Sequence, residues 1–214
     1  LEFYQTPITI SILIITFVVS MMAFSNTEIK FKYMFNAYMI KHRNQWWRTF
    51  TSAFLHGDYI HLFLNMMVLY SFGGILEIFF IAKFGMTKGL ILYASLYIGG
   101  IFFSHLPAFK RHADNEFYNA LGASGAVSAV AFAVILLFPL APLSLIFFPF
   151  FEIPAFILGI LYLFYETYMD KRGNSNIGHS AHLGGAAFGV SFMFLLDWRF
   201  VPNFLEQVTA YFGA

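Results

Sequence analysis

A chain of 214 residues that is 59% hydrophobic and only 11% charged cannot cover a soluble surface, since ordinary globular chains carry about 25% charge. Its net charge of +1 provides no basic stripe to neutralise phosphates, which excludes nucleic acid as a partner. The absence of cysteine excludes a disulfide framework and thiolate chemistry. The composition instead fits a lipid bilayer as solvent: thirty phenylalanines and twelve tyrosines suit lipid-facing and interfacial positions.

A spanning helix needs about 20 mainly apolar residues. The first run, residues 6–24, is free of charge, too long for a signal-peptide core and without a small-residue cleavage site, so it is expected to be retained. A polar stretch follows, containing "KHRNQWWR", whose paired Trp46 and Trp47 read as interfacial anchors. The second and third spans are predicted over residues 57–81 and 86–105, and the polar "FKRHADNEFYN" precedes a fourth over 124–138. No charge occurs between Glu116 and Glu152, a run too long for one span. Pro139, Pro142 and Pro149 divide it into a helix and a buried or interfacial connection. The fifth and sixth spans are predicted over 153–169 and 178–196, after "DKRGNSN". The expectation is therefore an all-α membrane protein with six transmembrane helices, in which residues 1–214 form one domain without repeats.

Polar groups inside spans are costly and usually functional. Here they gather at the starts of even-numbered helices: His56, His61 and Asn65 at the second, Ser124 at the fourth, His179 and His182 at the sixth. Even-numbered helices cross in one direction, so topology alone puts these starts on one side of the membrane. Ser124 reads either as a helix N-cap or as a nucleophile. Gly122 and Gly125 on either side permit close backbone approach and leave helix-start N–H groups for an anion, which assigns Gly122 to the oxyanion region. Gly185 and Gly189 form a G-x-x-x-G face that can meet the small residues Gly122, Ala123, Gly125, Ala126 and Ala129. Such contact would pair Ser124 with His182 as nucleophile and base. His61 and Asn65 share a helical face. No H-E-x-x-H spacing or carboxylate accompanies the histidines, so no metal or cofactor is expected. The economical reading is a Ser–His dyad without a third carboxylate.

These residues resemble those of the rhomboid intramembrane serine proteases. The motifs are "WR" at Trp47 and Arg48, "HGDYIHLFLN" from His56 to Asn65, "GGILE" from Gly73 to Glu77, "GASG" from Gly122 to Gly125, and "AHLGGAAFG" from Ala181 to Gly189. The resemblance implies a six-helix bundle with a polar cavity open to one face. It implies Ser124 as nucleophile, His182 as general base and later acid, and an oxyanion held by the Ser124 N–H, the His56 side chain and the Asn65 amide. His61 and Glu77 would be structural, tying helices and loops together. The partners would be the lipid bilayer and transmembrane segments of other proteins, unwound near their ends, entering past the fifth helix. Phe150, Phe151 and Phe156 would form a hydrophobic gate. One position departs from the pattern: an aromatic often found four residues after the nucleophile is Ser128 here, so another aromatic must pack on the histidine or leave it loosely held.

Two rival classes make different demands. A transporter or channel needs polar residues in both halves of the membrane and paired broken helices, whereas this cluster keeps to one side. An inactive helix-binding relative would have no need of an intact Ser124 and His182. Orientation draws on two opposed indications. Nine of the 12 Lys and Arg lie on the first, third and fifth loops, which the positive-inside rule places in the cytoplasm. The resemblance to bacterial members places those loops, and Ser124, outside the cytoplasm of a bacterial inner membrane. That second placement is adopted, because Glu28, Asp58, Asp114, Glu116 and Asp170 leave the loops nearly neutral.

Overall fold

The computed structural model describes residues 5–145, 148–172 and 178–213, and among them the chain is almost entirely helical. Helix α1 (Pro7–Ser25) starts with proline in its first turn, where the missing N–H costs nothing. Three short helices follow: α2 (Thr27–Tyr33), α3 (Ala37–Arg43) and α4 (Trp47–Thr51). Asn26 and Asn36 cap the first two, each accepting from backbone N–H groups of the first turn. The polar first loop is therefore a folded layer. Arg48 holds it together by donating to the Phe31 and Met34 carbonyls at 3.0 and 2.9 Å and to Gln45 Oε1 at 2.6 Å.

The next span consists of α5 (Tyr59–Val68) and α6 (Gly74–Phe84), joined without a break by a π-helical stretch, Leu69–Gly73. It starts two residues later than predicted because Asp58 takes the cap and accepts from His61 N–H at 2.8 Å. Helix α7 (Met86–His112) runs past its predicted end and absorbs the first four residues, Phe109 to His112, of the expected loop. A bidentate Arg111–Asp170 pair, 3.1 Å on both arms, ties its last turn to α9 (Ala155–Arg172). Helices α8 (Ser124–Leu137) and α10 (His179–Leu196) lie close to their predicted bounds.

Two elements were not anticipated. The proline-punctuated connection is an antiparallel hairpin, β1 (Pro142–Leu145) and β2 (Phe148–Pro154), with Leu143 opposite Ile153 and Ser144 opposite Glu152. Prolines at its ends cost no ladder bonds there. After α10 an amphipathic helix, α11 (Phe200–Tyr211), packs Phe200 into the main core.

Helices α1, α5–α6, α7 and α10 are long and apolar enough to cross a membrane. Helix α8 is apolar but has 14 residues, and α9 has 18 but carries Glu166, Asp170, Lys171 and Arg172. The chain is a multi-pass membrane protein. Its central contact is α8 against α10. A Cβ at Gly185 would collide with the Gly125 carbonyl, and one at Gly189 with that of Ala129. The two backbones meet directly because glycines of α10 face Gly125 and Ala129 of α8, with no side chain larger than a methyl there.

Candidate active site

The site grows from the start of α8. Gly122 precedes it with φ +123°, a conformation that side chains resist. Its N–H donates to the Ser52 carbonyl at 3.0 Å. A short bridge between Phe35 and Ala120 pins the same approach to the first-loop layer, with N–H to carbonyl distances of 2.9 and 3.0 Å. Ala123, not Ser124, occupies the cap position, and it has no side-chain cap bond. The capping reading of Ser124 therefore fails. The helical ladder begins with Val127 N–H donating to the Ala123 carbonyl at 2.9 Å, so the Ser124 N–H lies in the turn that precedes it.

The Ser124 hydroxyl meets His182 instead, with Oγ 2.7 Å from Nε2. The close α8–α10 backbone contact produces this distance, because Ser124 adjoins Gly125 and His182 lies one turn before Gly185. His182 is 9% exposed. Two side chains of α9 reach it. Tyr162 stacks on its ring, with centroids 6.2 Å apart and planes at 24°. Its hydroxyl lies 3.0 Å from Ser128 Oγ. Tyr162 thus provides the aromatic contact missing at position 128, and it engages the second serine.

Glu166, buried at 3% exposure, lies one turn beyond Tyr162. Its Oε2 is 2.6 Å from His179 Nδ1 and 3.0 Å from His182 Nδ1. The first contact is a hydrogen bond. The second has ion-pair distance, but the ring nitrogen is not aligned for a hydrogen bond. The expectation of a dyad with no carboxylate nearby is corrected on this point. Glu166 and Tyr162 escaped the sequence reading because they come from an odd-numbered helix, whose end, not its start, reaches this side. An ionisable residue within a predicted span was the available signal.

The donor atoms of Glu166, His179 and His182 all lie within 4.8 Å of one another. Ligands 2.0–2.1 Å from a tetrahedral zinc stand about 3.3 Å apart. The Glu166–His179 contact of 2.6 Å is the distance of a shared proton, shorter than that spacing.

His56 is fully buried. Its Nδ1 is 2.9 Å from Ser20 Oγ, which itself donates to the Phe54 carbonyl. Its Nε2 accepts from the Ala123 N–H at a long 3.4 Å. Burial and the neighbouring His61 push its pKa down to about 3, so it is neutral. It therefore meets the nucleophile loop as an acceptor in this arrangement, and donation to an oxyanion, the role the resemblance implies, requires the other tautomer.

Asn65 is buried and donates to the His61 carbonyl at 2.9 Å, leaving its second amide hydrogen for another acceptor. The His61 ring packs edge-on against His56, with centroids 4.9 Å apart. It also fills the space a Cβ at Gly122 would need, which places it beside the nucleophile loop. Glu77 is far from this cluster and fully buried. It accepts from Ile8 N–H and Thr9 N–H, both at 2.8 Å, and from Thr9 Oγ1 at 2.6 Å. It thereby satisfies first-turn donors of α1 from α6.

The gate expectation fails. Phe156 is buried against Tyr211 and Phe212 of the α11 end, and Phe150 sits on the exposed hairpin. Both belong to the end of the bundle where α8 finishes, about 20 Å of helix from Ser124. The Phe151 side chain lies outside the described residues.

Fold and site together define a polytopic helical membrane protein with a serine on a buried histidine at one end of its bundle. Residues 43–199 match the Rhomboid domain family, and the chain belongs to it. It is 36% identical over 148 residues to RHOMBOID-like protein 12, mitochondrial, of Arabidopsis thaliana, covering 64% of this chain and 42% of that protein. It is 30% identical over 139 residues to presenilin-associated rhomboid-like protein, mitochondrial, of Homo sapiens, covering 65% of this chain and 35% of that one. The chain thus matches less than half the length of these relatives. Both are named mitochondrial, so they lend no support to the expected bacterial inner membrane.

Proposed function

We propose that this protein is an intramembrane serine endopeptidase that cleaves transmembrane segments of other membrane proteins. The observation that carries the reading is the 2.7 Å contact between Ser124 Oγ and His182 Nε2 at two abutting helix starts. The family supports it too, since rhomboids are in general intramembrane serine proteases. Helices α8 and α9 are read as the two remaining spans of six, with residues 1–214 as one domain.

In this mechanism His182 Nε2 takes the hydroxyl proton as Ser124 Oγ attacks the scissile carbonyl. The Ser124 N–H and the free amide hydrogen of Asn65 receive the oxyanion, while His56 holds the loop that presents them. His182 then gives its proton to the leaving amine. A water activated by the same ring hydrolyses the acyl-enzyme and restores the serine. An intact substrate helix hides its peptide bonds in i to i−4 hydrogen bonds, so the cleaved segment must unwind. Small or helix-breaking residues lower that cost. The mitochondrial location in both relatives' names replaces the bacterial membrane as the location to test.

The test is cleavage of a labelled transmembrane substrate by purified protein, with and without a serine-reactive fluorophosphonate. Ser124→Ala abolishes cleavage and labelling in this reading. Ser128→Ala retains most activity, because Ser128 is engaged by Tyr162 and lies a turn inside the helix, where backbone donors are already bonded. An active Ser124→Ala protein overturns the assignment.

A further inference from the structure

Resting on that reading, we propose that Glu166 is a positioning residue for the catalytic histidine, so that the site is a Ser–His–Glu relay with its carboxylate provided by α9. A serine can lose its proton to His182 Nε2 only if that nitrogen is unprotonated and the ring hydrogen sits on Nδ1. Which ring nitrogen carries the proton is set by the partner of the other. Glu166 Oε2, 3.0 Å from His182 Nδ1, is the buried anion at that edge. It selects the productive tautomer in the resting site and stabilises the imidazolium formed during attack. The carboxylate stays ionised and no proton reaches it.

Two further observations place Glu166 in this role. His179 Nδ1 holds the same oxygen at 2.6 Å, which fixes the carboxylate and compensates its burial. Tyr162, one turn earlier on α9, covers the face of the His182 ring. Both groups that orient the base therefore ride on one helix, which is tied to α7 by the Arg111–Asp170 pair. A shift of α9 would release ring stacking and carboxylate together. Because the His182–Glu166 contact is not aligned as a hydrogen bond, the effect of removing it is placed below the roughly 10⁴-fold of an aligned triad.

The experiment compares wild type, Glu166→Gln, Glu166→Asp and Ser124→Ala in detergent. It reads kcat and KM on the labelled substrate, together with nitrogen-15 NMR of histidine-labelled protein. Glu166→Gln is expected to lower kcat about 10²-fold with KM within twofold of wild type, and Glu166→Asp to recover at least a tenfold part of the loss. In wild type the His182 spectrum shows the hydrogen on Nδ1, and in Glu166→Gln that preference is lost. A purely structural Glu166 would lower folding stability without moving the tautomer. Wild-type kcat in Glu166→Gln, or a wild-type His182 with its hydrogen on Nε2, overturns the proposal. The wild-type spectrum decides even if the glutamine variant does not fold. Inactive wild type, or an active Ser124→Ala, instead overturns the protease reading.

Discussion

Gly185→Ala tests whether the α8–α10 contact creates the site. The added Cβ would stand 2.8 Å from the Gly125 carbonyl carbon, against 3.4 Å for an ordinary contact, and would strike the carbonyl oxygen harder still. The obstacle is backbone, so no side chain can swing aside and the helices must separate by at least the 0.6 Å difference. Ser124 and His182 sit at the same level of the two helices, so a rigid separation of that size stretches their 2.7 Å contact beyond about 3.2 Å, the reach of a good hydrogen bond. Overpacking of this kind costs about 1–3 kcal/mol. Misplacement approaching 1 Å costs about 10²-fold in rate. Gly178→Ala is the control, since its Cβ meets only the Ala181 methyl at 3.6 Å. Thermal unfolding and substrate cleavage in detergent measure both terms. Wild-type melting and turnover in Gly185→Ala would refute the claim that this contact sets the serine–histidine distance.

Four other outcomes are expected. Asn65→Ala lowers kcat by about 10²–10³, the usual cost of one oxyanion donor, with its melting temperature nearly unchanged; full turnover removes Asn65 from the site. His56→Ala slows cleavage and also destabilises by about 1–3 kcal/mol, because Ser20 and the Ala123 N–H lose a buried partner; unchanged unfolding would contradict the loop-holding role. Glu77→Ala destabilises by about 3 kcal/mol or more with the serine still reactive, since three short hydrogen bonds to the start of α1 vanish together; denaturant unfolding and fluorophosphonate labelling separate the two effects. A cysteine placed at Asn115, in the α7–α8 connection near Ser124, reports orientation by labelling with an impermeant reagent in sealed membranes. Protection of it in intact cells would favour the placement given by the count of basic residues.

What the sequence determined by itself was the membrane, the helix starts and the pairing of Ser124 with His182. Each depends on local composition or on direction of travel: long apolar runs need the bilayer, and even-numbered helices begin on one side whatever their packing. The small-residue faces of α8 and α10 were legible for the same reason, since glycine at turn spacing marks where backbones can touch. What only the tertiary structure decided came from partners distant in the chain. Tyr162 and Glu166 reach His182 from α9 because an odd-numbered helix ends where the even ones begin, and nothing in local spacing says which of its faces turns inward. His56 faces the nucleophile loop as an acceptor because Ser20 and Ala123, far apart in sequence, meet its two nitrogens. Phe150 and Phe156, expected at a gate, lie at the opposite end of the bundle, because the hairpin carrying Phe150 continues from the end of α8 rather than from its start. Periodicity reports which residues share a face. Only packing determines what that face meets.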